Sequence, residues 1–143
     1  MSTQDASLRP RGPGKPPAFT LLPLILVLLL ALSACGWLRS FNFERGARMT
    51  GGDPEAGRKK LGQHSCISCH VIPGVPKADG TIAPTLAHWY WHRTLLGSYP
   101  NTPENMEKWL EKPTRLKPNT NMPDTSASPQ DSRDMAAYLF SIN

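Results

Sequence analysis

Cys66-Ile67-Ser68-Cys69-His70 constrains this chain of 143 residues more than any other stretch. Two cysteines three apart on a helical turn share a face. Each thiol can therefore form a thioether to one of the two vinyl groups of a haem. The next residue, His70, then offers a ring nitrogen to the iron as proximal ligand. The motif predicts one covalent haem c. A structural zinc site is the alternative reading. It needs four nitrogen or sulfur ligands, usually with a second Cys or Cys/His pair close by. His64 and His88 could serve, but the sequence has no second C-x-x-C.

An iron that only carries electrons needs a sixth ligand. Met122, in the turn-rich stretch Asn119-Thr120-Asn121-Met122-Pro123, is the candidate. A loop can carry its thioether to the haem face opposite His70, and Met with His raises the potential of such an iron. Met122 also reads as an ordinary gap-filling methionine. Met106 and Met135 fit that role, because both fall on apolar helical stripes, and His88 and His92 are rival sixth ligands.

The N-terminus sets the compartment. Residues 1–17 are rich in Pro and Gly and carry Arg9, Arg11 and Lys15. An apolar run follows, aliphatic from Leu24 to Leu32, and a basic flank before such a run reads as a secretory signal. It ends Leu32-Ser33-Ala34-Cys35, which resembles the lipobox of bacterial lipoproteins and implies a lipid on Cys35. An uncleaved transmembrane helix is the alternative, since no charge interrupts Pro16 to Leu38. Either reading places the rest of the chain on the outer, periplasmic face of a membrane, where covalent haem attachment takes place. Of the three cysteines none is left for a disulfide.

Little of the formal charge of +5 belongs to the folded part. Residues up to Arg48 carry most of the excess, leaving +1 from Met49 onward. No basic helix or stacking platform suggests nucleic acid.

The expected organisation is a signal or anchor over 1–34, a tether over 35–52 and a helical domain over 53–143. Trp37, Phe41 and Phe43 in the tether could rest at a membrane interface. Asp53-Pro54 opens a helix that carries Gly57 and Leu61 on one face. Val71 to Asn101 reads as mostly loop, broken by Pro73, Gly74, Pro76 and Gly80. Its Trp89, Tyr90 and Trp91 either wall the cofactor or pack an ordinary core. Thr102-Pro103 starts a second helix, with Met106, Trp109 and Leu110 as its apolar stripe and Pro113 as its end. Thr114 to Asp124 is the loop carrying Met122. Ser128-Pro129 caps the last helix, whose buried stripe is Met135, Tyr138, Leu139 and Ile142.

From Asp53 to the end these features resemble the class I cytochromes c. The resemblance implies an all-α fold of three main helices and long loops around the haem. In that family a glycine and a large residue on the first helix pack on an aromatic–aliphatic pair of the last, here Gly57 and Leu61 on Tyr138 and Leu139. Ala83-Pro84-Thr85-Leu86 matches the segment whose proline carbonyl holds the proximal histidine, so Pro84 would orient His70. Ala83 stands where the family has glycine. By the same resemblance Arg93, Trp89 and Trp91 are candidates to bind a haem propionate.

Ile72-Pro73-Gly74, Pro100-Asn101-Thr102-Pro103-Glu104-Asn105 and Asp134-Met135-Ala136-Ala137-Tyr138-Leu139 are similar to the cytochrome c domains fused to subunit II of haem–copper terminal oxidases. No copper-binding domain is read here, so a separate tethered carrier is expected, with a membrane-bound oxidase as acceptor. Two other classes remain beside the electron carrier. A haem peroxidase would need an open iron position and an acid–base group beside it. A redox or gas sensor would need an output element.

Overall fold

The computed structural model describes residues 18–142. The basic flank over 1–17 of the signal or anchor expected over 1–34 lies outside the described residues, as does the side chain of Cys35. The chain divides into two units at Gly36/Trp37.

The first helix, α1, spans Ala18–Thr50. In the first unit it carries the aliphatic run, and Leu22 and Leu24 to Leu30 are all exposed, as is Leu32. Among the described residues no helix is long and apolar enough to cross a membrane.

In the second unit the segment read as a tether is largely helix, and it is docked. Gly46 is buried, and a Cβ there would overlap the carbonyl of Ala137, while one on Gly52 would crowd the carbonyl of Arg133. The side chain of Arg45 donates to the carbonyls of Phe140 (3.2 Å) and Ser141 (3.4 Å) and lies over the Tyr90 ring, 4.1 Å from its centre. Phe43 meets Tyr138 edge-on, with ring centres 6.0 Å apart. The tether expectation therefore needs correction from Asn42 onward. Its physical reason is long-range: the partner surface is the backbone of the last helix, roughly ninety residues away in sequence. Trp37 and Phe41 stay exposed, whereas Phe43 belongs to the domain.

A capping side chain followed by proline opens each of the main helices after α1. Asp53 accepts from the amides of Glu55 and Ala56 to start α2 (Pro54–Gln63). Thr102 does so for α3 (Pro103–Glu111), and Ser128 for α5 (Pro129–Ser141). Pro113 ends α3 as expected but also begins a short α4 (Pro113–Leu116), so the loop carrying Met122 starts one turn later than the sequence suggests. The stretch 71–101 is mostly irregular. It contains a bridge between Val71 and Asp79, a 3₁₀ turn Trp89–Trp91 and a two-residue ladder of β1 (Thr94–Leu95) with β2 (Tyr99–Pro100).

The core forms around α5, buried from Asp134 to Ile142 and packed by α2 and α3. Leu61, Met106, Leu110, Met135, Tyr138, Leu139 and Phe140 make one cluster with Ile72 and Leu95. A Cβ on Gly57 would overlap the carbonyl of Asp134, so α2 and α5 cross at backbone contact. This is the crossing read from Gly57, Leu61, Tyr138 and Leu139, with the closest approach one turn earlier on α5. Tyr138 also donates to the carbonyl of Pro73 at 2.6 Å. The carboxylate of Asp134 accepts from the Asp53 amide at 2.9 Å, which ties the start of α2 to α5.

Candidate haem site

α2 ends at Gln63, one turn before the cysteines. His64 caps it, Ser65 takes a left-handed conformation (φ 59°), and the chain enters a 3₁₀ turn, Cys66–Ser68. In a 3₁₀ turn residues three apart eclipse, which places the two thiols on one side. The amides of Cys69 and His70 both donate to the carbonyl of Cys66, at 3.3 and 3.0 Å. Gly80 passes so close that a Cβ would crowd the backbone of Ser68 and Cys69. Both thiols are half-buried and free of any disulfide. Burial pushes the Cys66 thiol above the ordinary cysteine range, which keeps it protonated at neutral pH.

His70 is held from outside the motif. Its Nδ1 lies 2.7 Å from the carbonyl oxygen of Pro84. A carbonyl only accepts, so Nδ1 carries the proton and Nε2 keeps its lone pair for a metal. The amide of Ala83 donates to the Cys69 carbonyl at 3.0 Å, pairing this segment with the motif although Ala83 replaces glycine.

Met122 comes from the other side in sequence. Its amide donates to Thr120 Oγ1 at 3.1 Å, and Thr125 donates from its hydroxyl to the Leu110 carbonyl. The amide and hydroxyl of Thr114 donate to Asp124 at 3.2 and 2.8 Å, closing the loop; those bonds hold the Asp124 carboxyl below its usual range.

These parts meet at one cavity of about 470 Å³. Cys66, Cys69, His70, Pro84 and Met122 all line it, with Leu96, Trp109 and Ile82 as apolar walls. Met106 and Met135 are core residues, buried to within 1 %. His88 and His92 do not line the cavity, and the His92 ring stacks on Trp89 instead. Arg93, Trp89 and Trp91 do not line it either; the Trp89 indole donates to Asn101 and Trp91 is exposed. Lys117, Thr120, Asn121 and Thr125 do line it, and the sequence did not mark them as site residues. The one available signal was their closeness to Met122. His64, weighed only as a zinc ligand, also lines the cavity and lies 3.7 Å from Asp131. Among the described residues no cluster of three or more His, Cys, Asp or Glu gathers to hold a metal ion.

The donor set fits a c-type haem. Two thiols share one turn, an imidazole has its second nitrogen occupied, and a thioether lines the same largely apolar cavity. The cytochrome c family matches residues 54–143. The chain belongs to the cytochrome c family. It is thus a haem cytochrome whose role is to carry electrons, and its all-α domain is of class I. It is also similar to the cytochrome c oxidase subunit 2 of Alkalihalophilus pseudofirmus, 32 % identical over 60 % of this chain and 25 % of that protein. The subunit 2 of Bacillus sp. strain PS3 is 35 % identical over 43 % of this chain and 18 % of that protein, and that of Bacillus subtilis 29 % over 59 % and 24 %. The match spans a quarter or less of these curated relatives. No solved structure matches the chain significantly.

Proposed function

We propose that this cytochrome holds one haem covalently through Cys66 and Cys69. His70 and Met122 would ligate its iron, and the protein would pass single electrons to a haem–copper terminal oxidase from an anchored position on the periplasmic face of a bacterial membrane. The observation that carries the site is the shared cavity of Cys66, Cys69, His70 and Met122, with His70 Nδ1 fixed on Pro84. The oxidase as acceptor is supported by the similarity to proteins named cytochrome c oxidase subunit 2. The anchor is supported by the apolar run before Cys35.

When bound, the haem supplies one-electron chemistry at its iron. The chain supplies position and environment. The Pro84 carbonyl fixes the His70 tautomer and raises the basicity of its free nitrogen. Met122 lines the cavity with a soft sulfur that would favour the reduced iron of a bound haem. Leu96 and Trp109 give the cavity apolar walls.

Visible spectra of the oxidised and reduced protein test this reading directly. Met122→Ala is expected to give a high-spin ferric haem, a lower potential and new binding of carbon monoxide. An unchanged spectrum would make Met122 a packing residue.

A further inference from the structure

Haem brings two carboxylates, its propionates, on the edge of the macrocycle opposite the vinyl groups. The candidate cavity has no Asp or Glu in its lining and a single lysine or arginine, Lys117. Its ammonium makes no ion pair among the described residues. The neighbouring cations are committed elsewhere: Lys112 to Asp124, Arg115 to Glu111, and Lys60 to Asp131.

The backbone at Lys117 is pinned on both sides. Its amide donates to the Pro113 carbonyl at 3.0 Å, closing α4, and its carbonyl accepts from the Thr120 amide at 3.0 Å. The preceding carbonyl, of Leu116, accepts from the Tyr99 hydroxyl at 3.1 Å. A long flexible side chain is thus launched from a fixed point at the cavity.

We infer that Lys117 is a positioning residue for the cofactor, its ammonium pairing with a haem propionate. The inference rests on the haem reading above. It replaces Arg93, Trp89 and Trp91, none of which lines the cavity. The pair also has an electronic consequence. A positive charge held beside the macrocycle favours the reduced, less positive iron, so Lys117 contributes to the potential as well as to the seating of the haem.

The test is a charge series in the full-length holoprotein: Lys117→Arg, Lys117→Met and Lys117→Glu, with Lys112→Met and Lys112→Glu as surface controls. Midpoint potentials are measured at low and at high salt, alongside visible spectra. The expected order of potential is parent and Arg together, then Met, then Glu. The spectra should be unchanged, and the order should persist at high salt, because a contact pair is screened far less than separated surface charges. The Lys112 series should shift less and fade with salt. Equal shifts in the two series, or loss of the Lys117 effect in salt, would reduce Lys117 to a surface charge and overturn the inference. A rearranged spectrum in all three Lys117 variants, with no rescue by Arg, would assign it to loop structure instead. A parent chain that carries no covalent haem would overturn the site reading itself, a failure visible before any variant is made.

Discussion

A methyl group on Gly57 would overlap the carbonyl of Asp134. Helix propensity alone favours Gly57→Ala by about 1 kcal/mol. Overpacking a close helix crossing costs about 1–3 kcal/mol, and here the obstacle is backbone, which cannot rotate away. The clash should win. Gly57→Ala is expected to lower the stability of the holoprotein by about 2 kcal/mol, read by thermal or denaturant unfolding, and Gly57→Leu by more. An unchanged or raised midpoint would show that α2 and α5 can slide apart. A second position at this scale is Asp131. The hydrogen bond from Lys60, at 2.9 Å, holds its carboxyl below the ordinary range, with Ser128 assisting. A depressed carboxyl stabilises the fold above its unfolded pKa, near 3.9, and that contribution is lost as pH falls through the folded value. The pair is partly exposed, so its worth is about 0.5 kcal/mol. Asp131→Asn should therefore cost about that much at pH 7 and nothing near pH 2. A constant deficit at both would mean that the loss is one of geometry at the start of α5, not of charge.

At the scale of elements, α5 is the surface on which the others are ordered, and α1 is its least expected partner. Arg45 satisfies two last-turn carbonyls of α5 that have no partner within the helix. Arg45→Met keeps the stem and removes those bonds, and is expected to destabilise the domain by about 1–2 kcal/mol. Gly46→Leu should do more, by driving a side chain into the Ala137 carbonyl. Hydrogen exchange would localise both losses to α1 and the end of α5; protection there unchanged would refute the docking. Helices α2, α3 and α5 were legible because their signals are local: Asp53-Pro54, Thr102-Pro103 and Ser128-Pro129 each place a capping oxygen and a donor-free residue where a helix starts. The gathering of Cys66, Cys69, His70, Pro84 and Met122 at one cavity was legible for a similar reason, since residue type and spacing carry the chemistry. The docking of 42–52 was not, because Gly46 and Gly52 look like linker glycines until the carbonyls they meet are known. The turn at Leu96 and Gly97 was hidden too. Both residues take positive φ (57° and 81°), and a leucine there gives no turn signal. Lys117 was not legible as a site residue, because beside Lys112 and Arg115 it reads as part of a basic docking or solvated face; only the cavity it lines distinguishes it.

For the whole molecule, the docked segment changes how far the haem domain can roam. With a lipid on Cys35 and a tether reaching Gly52, the chain could extend to roughly 60 Å. If the domain instead begins near Asn42, the stretch before it shortens to Gly36–Phe41, which α1 holds as helix; it reaches roughly 9 Å in that form and at most roughly 20–25 Å if unwound. An acceptor in the same membrane then meets the haem domain at a high effective concentration, and one whose docking surface stands well above the membrane is out of reach. Long-range steering adds little, since the residues from Trp37 carry a net charge of +3, which two haem propionates would bring down to about +1. Three forms test this: the anchored chain, the anchored chain with about twenty Gly/Ser residues inserted between Gly36 and Trp37, and soluble Trp37–Asn143. The soluble form starts at Trp37 because a start at Asp53 would discard Phe43, Arg45 and Gly46, and a loss of stability would then pass for a loss of encounter. Mass spectrometry of the anchored form first establishes whether Cys35 carries its lipid. Oxygen consumption at equal low concentrations should be highest for the native anchored form, reduced several-fold by the insertion if the short arm is matched to its partner, and lowest for the soluble form. All three should depend only modestly on salt. Equal rates for the anchored and soluble forms would refute delivery by local search. A rate raised by the insertion would mean that the short arm holds the haem away from its acceptor. No oxygen consumption with any form, while the haem is still reduced by membrane dehydrogenases, would remove the oxidase as partner and leave the electron carrier standing.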